Sequence, residues 1–172
     1  MTRQLFAAPA AVALCLLLAA CSPKYNWRDY ASPDAPYRVM FPAKPSTFTR
    51  NIDLDGMPVK MTMTAAEVEG ATFAVGAAEA PDAARAEAAL EAMQVALVRN
   101  IGATVTSQKT AADAGHATRD VDASGTVQGV PMRLVGHFEA RGKRFYQVIV
   151  LGKAQAMPPE QVEQFLTSFK LP

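Results

Sequence analysis

The chain has 172 residues, and its 17 Lys and Arg against 16 Asp and Glu leave a formal charge of +1. Nucleic-acid binders gather basic side chains on one face, so this balance excludes that class. Cys15 and Cys21 are the only cysteines, and both precede the body of the chain, so no disulfide framework braces it.

Arg3 is the only charge before Lys24, and an apolar run interrupted by Pro9 extends from Phe6 to Ala20. A spanning helix needs roughly 20 apolar residues. This run is shorter and ends in small residues, as a secretory signal does. Leu18-Ala19-Ala20-Cys21 resembles a lipobox, which implies cleavage before Cys21 and acylation of its sulfur. One acyl chain binds a membrane only marginally, at about 0.8 kcal/mol per buried methylene, whereas the several chains of a lipoprotein cysteine hold it there. Ser22 follows where an Asp would signal inner-membrane retention. The expected location is therefore the periplasmic side of the cell envelope, on the outer rather than the inner membrane. Losing Arg3 with residues 1–20 brings Lys and Arg level with the 16 Asp and Glu. A chain of the remaining size buries about 70% of its unfolded surface and needs no staples.

Three segments follow: a signal peptide at 1–20, the lipidated cysteine with a tether at 21–36, and a globular domain at 37–172. Pro23, Pro33 and Pro36 with intervening turn formers give the tether no periodicity. Trp27 and Tyr30 are unusual there and suit two placements, docked on the domain or at the bilayer interface.

Within the domain, Tyr37 to Phe41 alternates between Pro36 and Pro42 and reads as a strand. Phe48 to Leu54 alternates next, with Phe48, Ile52 and Leu54 on one face and Thr49, Asn51 and Asp53 on the other, and Asp55-Gly56 signals a hairpin turn. Val59 to Val68 continues as a strand with Val59, Met61 and Met63 on one face. Glu69-Gly70 turns the chain into a strand over Thr72 to Ala78. Asp82 suits an N-cap for a helix over Ala83 to Ile101, whose Ala86, Leu90, Met93, Leu97 and Ile101 share one face, and Gly102 suits its end.

The second half repeats this plan. A short strand over Thr104 to Lys109 and a loop over Asp113 to His116 lead to a strand over Arg119 to Val127. Gln128-Gly129 turns into an alternating strand over Met132 to Glu139. Phe145 to Leu151 is almost wholly apolar, as in a central strand covered on both faces. A last helix begins near Pro158, with Val162, Phe165, Leu166 and Phe169 as its stripe. Gly56-Met57-Pro58-Val59-Lys60-Met61 and Gly129-Val130-Pro131-Met132-Arg133-Leu134 look alike, and each leads through a strand toward a helix. Runs of strands followed by helices predict an α+β fold, a mostly antiparallel sheet flanked by two main helices.

The YRVMFPAKP opening at 37–45, the hairpin sheet, the FYQVIV strand at 145–150 and the closing FLTSFKL at 165–171 together resemble the PsbP-like α-β-α sandwich. That group includes small bacterial envelope lipoproteins of the DcrB and LpqN type. The CSPKYNWRDY start at 21–30 and the KMTMTAAEV segment at 60–68 are similar to a set of proteobacterial envelope lipoproteins. The resemblance spans roughly residues 37–171 and implies action by docking on larger partners. It carries over no metal- or partner-contacting residue, and fold alone does not give function.

Signatures of catalysis are missing. The only thiol of the processed chain is acylated, Ser124-Gly125 lacks the first glycine of a GxSxG elbow, and neither a Walker loop nor a dinucleotide fingerprint occurs. No cofactor is therefore expected. His116, near Asp113, Asp120 and Asp122, and His137, with Arg133 and Glu139, lack paired-ligand spacing for a metal. Asp120 and Asp122 make only a fragment of a calcium cage. Met61, Met63 and Met93 stand at core spacings, so packing accounts for them better than copper does. Arg141, Lys143 and Arg144 flank Gly142 as turn charges, with anionic lipid as the alternative contact. A hydrolase would need a cleft joining Asp113, His116 and Asp120. The expectation is a non-enzymatic lipoprotein, joined to the membrane through Cys21, that docks on an envelope protein. The alternative is a carrier or sensor for a lipid or other small apolar ligand.

Overall fold

Three hairpin turns of one type set the register of the sheet. Asp55-Gly56, Glu69-Gly70 and Gln128-Gly129 hold their paired central residues at positive φ, 53° and 83°, 52° and 88°, and 50° and 79°. That is the type I′ geometry whose twist matches antiparallel strands. The computed structural model describes residues 23–172, so Leu18, Ala19, Ala20 and Cys21 lie outside the described residues.

The first part of the chain forms β1 (Arg28–Ala31), β2 (Arg38–Phe41), β3 (Ser46–Leu54), β4 (Met57–Val68), β5 (Ala71–Glu79) and α1 (Ala83–Asn100). The second part forms β6 (Ala103–Asp113), β7 (His116–Val127), β8 (Val130–Arg141), β9 (Arg144–Lys153), a 3-10 turn at Ala154–Ala156 and α2 (Pro159–Ser168). One seven-stranded sheet runs β3-β4-β5-β9-β8-β7-β6, and β1 with β2 makes a separate ribbon. Every paired neighbour is antiparallel. Two meanders, β3-β4-β5 and β7-β8-β9, meet where β5 pairs with β9, Val75 opposite Val148. The likeness noted between residues 56–61 and 129–134 therefore falls on equivalent hairpins of the two meanders. The helices that follow them go to opposite faces.

On the first face α1 buries Ala86, Leu90 and Met93 against Leu134, Phe138, Phe145 and Ile149. On the second, α2 and the β1-β2 ribbon enclose Phe41, Phe73, Tyr146, Val148, Phe165 and Phe169. Phe73, Phe138, Phe145 and Phe165 are 0% exposed, and each contributes up to about 3 kcal/mol of transfer free energy. β9 is central and covered on both sides, which explains its almost continuous apolar sequence. α1 starts where Asp82 Oδ1 accepts from Arg85 N at 2.8 Å and ends at Gly102, whose φ is +55°.

Two expectations need correction, the length of the tether and the loop at Asp113–His116. The tether over 21–36 is shorter, because Arg28–Ala31 pairs with Arg38–Phe41 and Asn26 N donates to Pro42 O at 2.7 Å. Trp27 and Tyr30 dock on the domain, Trp27 against Phe73 of β5 and Gln161 of α2, Tyr30 against Tyr37 and Phe41. Phe48 shares its face of β3 with Ile52 and Leu54 but is 41% exposed, with the Arg50 guanidinium 4.7 Å from its ring centroid, because β3 is an edge strand. The Asp113–His116 loop contracts to a turn at Ala114-Gly115, as pairing with β7 extends β6 to Asp113. A bulge between Val105 and Ser107 interrupts that pairing, and there the Thr106 hydroxyl donates to Asp122 O at 3.0 Å.

Candidate functional site

A groove of about 820 Å³ lies between α1 and the tip of the β3-β4 hairpin. It exists because one stripe of α1, from Arg85 through Ala88, Ala92 and Val95 to Arg99, carries short side chains between two arginines. Asp53 and Asp55 on the hairpin tip supply the opposite rim, with Glu91 on the helix side. Val95 is 52% exposed and makes an apolar centre for this charged rim. Such a groove can receive a protein segment with apolar side chains toward the alanines and charges toward the rim. Arg85, Glu91 and Arg99 lie off the face that Ala86, Leu90, Met93, Leu97 and Ile101 share, on the outward side of the helix, and no local pattern marks the hairpin tip as a wall beside them. An exposed valine among small residues on that outward side was the available signal.

The residues singled out for chemistry gather instead on the open surface of β7 and β8. Register places Asp120 opposite His137 and Thr118 opposite Glu139. His137 Nδ1 lies 2.6 Å from Asp120 Oδ1, and its Nε2 lies 3.4 Å from Glu139 Oε2. The other Glu139 oxygen meets His116 Nε2 at 3.0 Å and accepts from Arg141 at 3.2 Å. Glu139 is only 8% exposed, so three basic partners compensate a buried carboxylate. Asp122 takes Arg133 in a bidentate pair at 3.1 and 2.5 Å. That hydrogen bond is the main cause that raises the Arg133 pKa.

His116 and Asp120 therefore share the network, whereas Asp113 does not, because its Oδ1 accepts from Ala114 N at 2.7 Å. Asp120 and Asp122 each face a basic partner rather than each other. Among the described residues no group of three or more His, Cys, Asp or Glu is placed to hold a metal ion. Met61 and Met93 lie in the core under α1. Arg141 also donates to Pro172 O at 3.3 Å, and Arg144 stands 3.8 Å from Glu79, so both turn arginines have partners within the domain.

The third feature is the seam where the chain enters the domain. Lys24 Nζ meets Glu69 Oε2 at 2.9 Å, and the hydrogen bond to that carboxylate chiefly raises the Lys24 pKa. Tyr25 and Trp27 stack with centroids 6.3 Å apart, and both stand edge-on to Phe73. Among the described residues no helix is long and apolar enough to cross a membrane.

No protein-family model matches the chain, and no curated protein matches it. Among solved structures it is similar to the solution structure of cyanobacterial PsbP (CyanoP) from Synechocystis sp. PCC 6803. The TM-score is 0.58 at 9% identity, over 89% of this chain and 96% of that one. At such identity the likeness concerns the fold alone. The large antiparallel sheet, the small ribbon and the two helices on opposite faces are accordingly a PsbP-like α+β fold.

Proposed function

We propose that this protein is an envelope lipoprotein, acylated at Cys21, whose PsbP-like domain docks on a protein partner through the α1–hairpin groove. Kinship to the DcrB- and LpqN-type lipoproteins is part of the same reading, supported by the lipobox, the YRVMFPAKP opening and the closing FLTSFKL. Ser22 favours the periplasmic leaflet of the outer membrane. The groove carries the docking reading: it is about 820 Å³, open, and rimmed by both signs of charge around Val95. Interfaces commonly combine an apolar centre with a polar rim in this way. A carrier of apolar ligands is less well supported, since aromatic and branched side chains fill both faces of the sheet.

A photo-crosslinker replacing Val95 in the native membrane tests docking. The expected result is one recurrent protein adduct, lost in Ala88→Arg and absent when the crosslinker replaces Thr110 on β6, at the sheet edge farthest from β3. Equal adducts from both positions, or none from Val95, would remove the groove as the docking site. Acylation is tested separately. Cys21→Ala should leave an uncleaved precursor without lipid, and normal maturation of that variant would end the lipoprotein reading.

A further inference from the structure

We infer that one end of the domain, formed by Lys24, the β4-β5 turn, Lys153 and the β7-β8 turn, rests on the lipid bilayer, an inference that rests on the acylation of Cys21 proposed above.

Chain length is the first support. Only Ser22 and Pro23 separate Cys21 from Lys24, whose ammonium is held 2.9 Å from Glu69. Three residue steps span at most about 10 Å. The headgroup layer on each side of the hydrocarbon is about 5 to 8 Å deep. A cysteine with its acyl chains in the membrane therefore holds Lys24 and the β4-β5 turn at headgroup level. The domain has no free tether on which to move away.

Register then shows what else lies at that end. Val68 pairs with Ala71, Ala71 with Gly152, Lys153 with Met132, and Val130 with Val127. The β4-β5 turn, the end of β9 and the β7-β8 turn are thus neighbours along one rim of the sheet. Exposure supplies an independent observation. Val127 is 39% and Val130 38% exposed, and they stand side by side at the tip of the β7-β8 turn on this rim. Paired valines on a turn tip, with Lys153 near them and Lys24 farther along the same rim, fit a surface of lipid headgroups over hydrocarbon. The opposite rim carries Arg141, Lys143 and Arg144 around Gly142, whose N–H donates to Gly115 O at 2.8 Å. Those charges consequently point away from the bilayer, and anionic lipid is not their contact.

The test uses the full chain, recovered with its own anchor from bacterial membranes and placed in vesicles of phosphatidylethanolamine and phosphatidylglycerol. Acylation leaves no free thiol, so a fluorophore can be attached at Val127→Cys, Val130→Cys or Lys143→Cys, all exposed positions. Spin-labelled lipid should quench the first two labels about twofold or more above the third, because only they lie within headgroup depth. Floating, acylated protein in which the three labels are quenched alike would overturn the orientation and leave the anchor intact. Protein that neither floats nor carries acyl mass would overturn the anchor and the orientation together.

Discussion

Trp27 stands edge-on to Phe73, with centroids 6.3 Å apart and planes at 86°, and its Nε1 donates to Gln161 Oε1 at 3.3 Å. One side chain thus ties the N-terminal segment to both β5 and α2. Trp27 is half-buried, so Trp27→Ala should destabilise the domain by about 2 kcal/mol, below the range for fully buried aromatics. Urea unfolding followed by far-ultraviolet circular dichroism measures this. A change below about 0.5 kcal/mol would mean that the segment does not contribute to the fold.

Glu139 holds the β7-β8 surface network together through His116, His137 and Arg141. Removing a nearly buried carboxylate leaves those groups without their acceptor. Glu139→Ala should therefore cost about 2 kcal/mol, and Glu139→Gln less, because the amide oxygen still accepts. If both variants unfold at the wild-type urea midpoint, the network is only a surface arrangement.

Gly152 faces a close backbone approach rather than an unusual dihedral. A Cβ there would stand 2.5 Å from Gly70 O and 2.7 Å from Ala71 Cα. Backbone cannot step aside as a side chain can, so Gly152→Ala should destabilise by about 1 to 3 kcal/mol. Gly129→Ala meets no atom within 4 Å, and its penalty arises from φ at +79° alone. It should cost about 1 kcal/mol. Thermal unfolding of the pair separates crowding from backbone strain, and a Gly152→Ala midpoint at or above that of Gly129→Ala would refute the crowding.

Burial is the main cause that lifts the phenols of Tyr37 and Tyr146 above their usual range. Where the unfolded chain begins to lose these protons, near pH 10, the folded state still keeps them. The folded state then binds more protons, so this contribution to stability is complete below about pH 10 and is lost as pH rises through the folded values. Urea midpoints should fall at alkaline pH, and the fall should be shallower in Tyr37→Phe and Tyr146→Phe. An equally steep fall in both variants would assign the alkaline loss to other groups.

Local chemistry made much of the fold legible. Asp55-Gly56, Glu69-Gly70 and Gln128-Gly129 announce hairpins because few residue pairs tolerate two positive φ values in succession. The α1 boundaries follow from Asp82 and Gly102, and the central place of β9 from an apolar run that needs cover on both faces. The edges were harder to read. Residues 110–113 of β6 carry little strand signal, and only pairing with β7 extends them. Phe48 alternates in step with Ile52 and Leu54, yet its strand has no neighbour beyond it.

By itself the sequence determined the α+β class, the turn positions and the two helical stripes, because each depends on residues close along the chain. Only the tertiary structure decided that the hairpin tip walls off a groove on α1. The same holds for Asp120, His137, Glu139 and His116 forming one network, and for Trp27 closing the N-terminal segment onto Phe73. Those relations join residues far apart in sequence. They are set by strand register and by which sheet face each helix covers, and no local pattern encodes either.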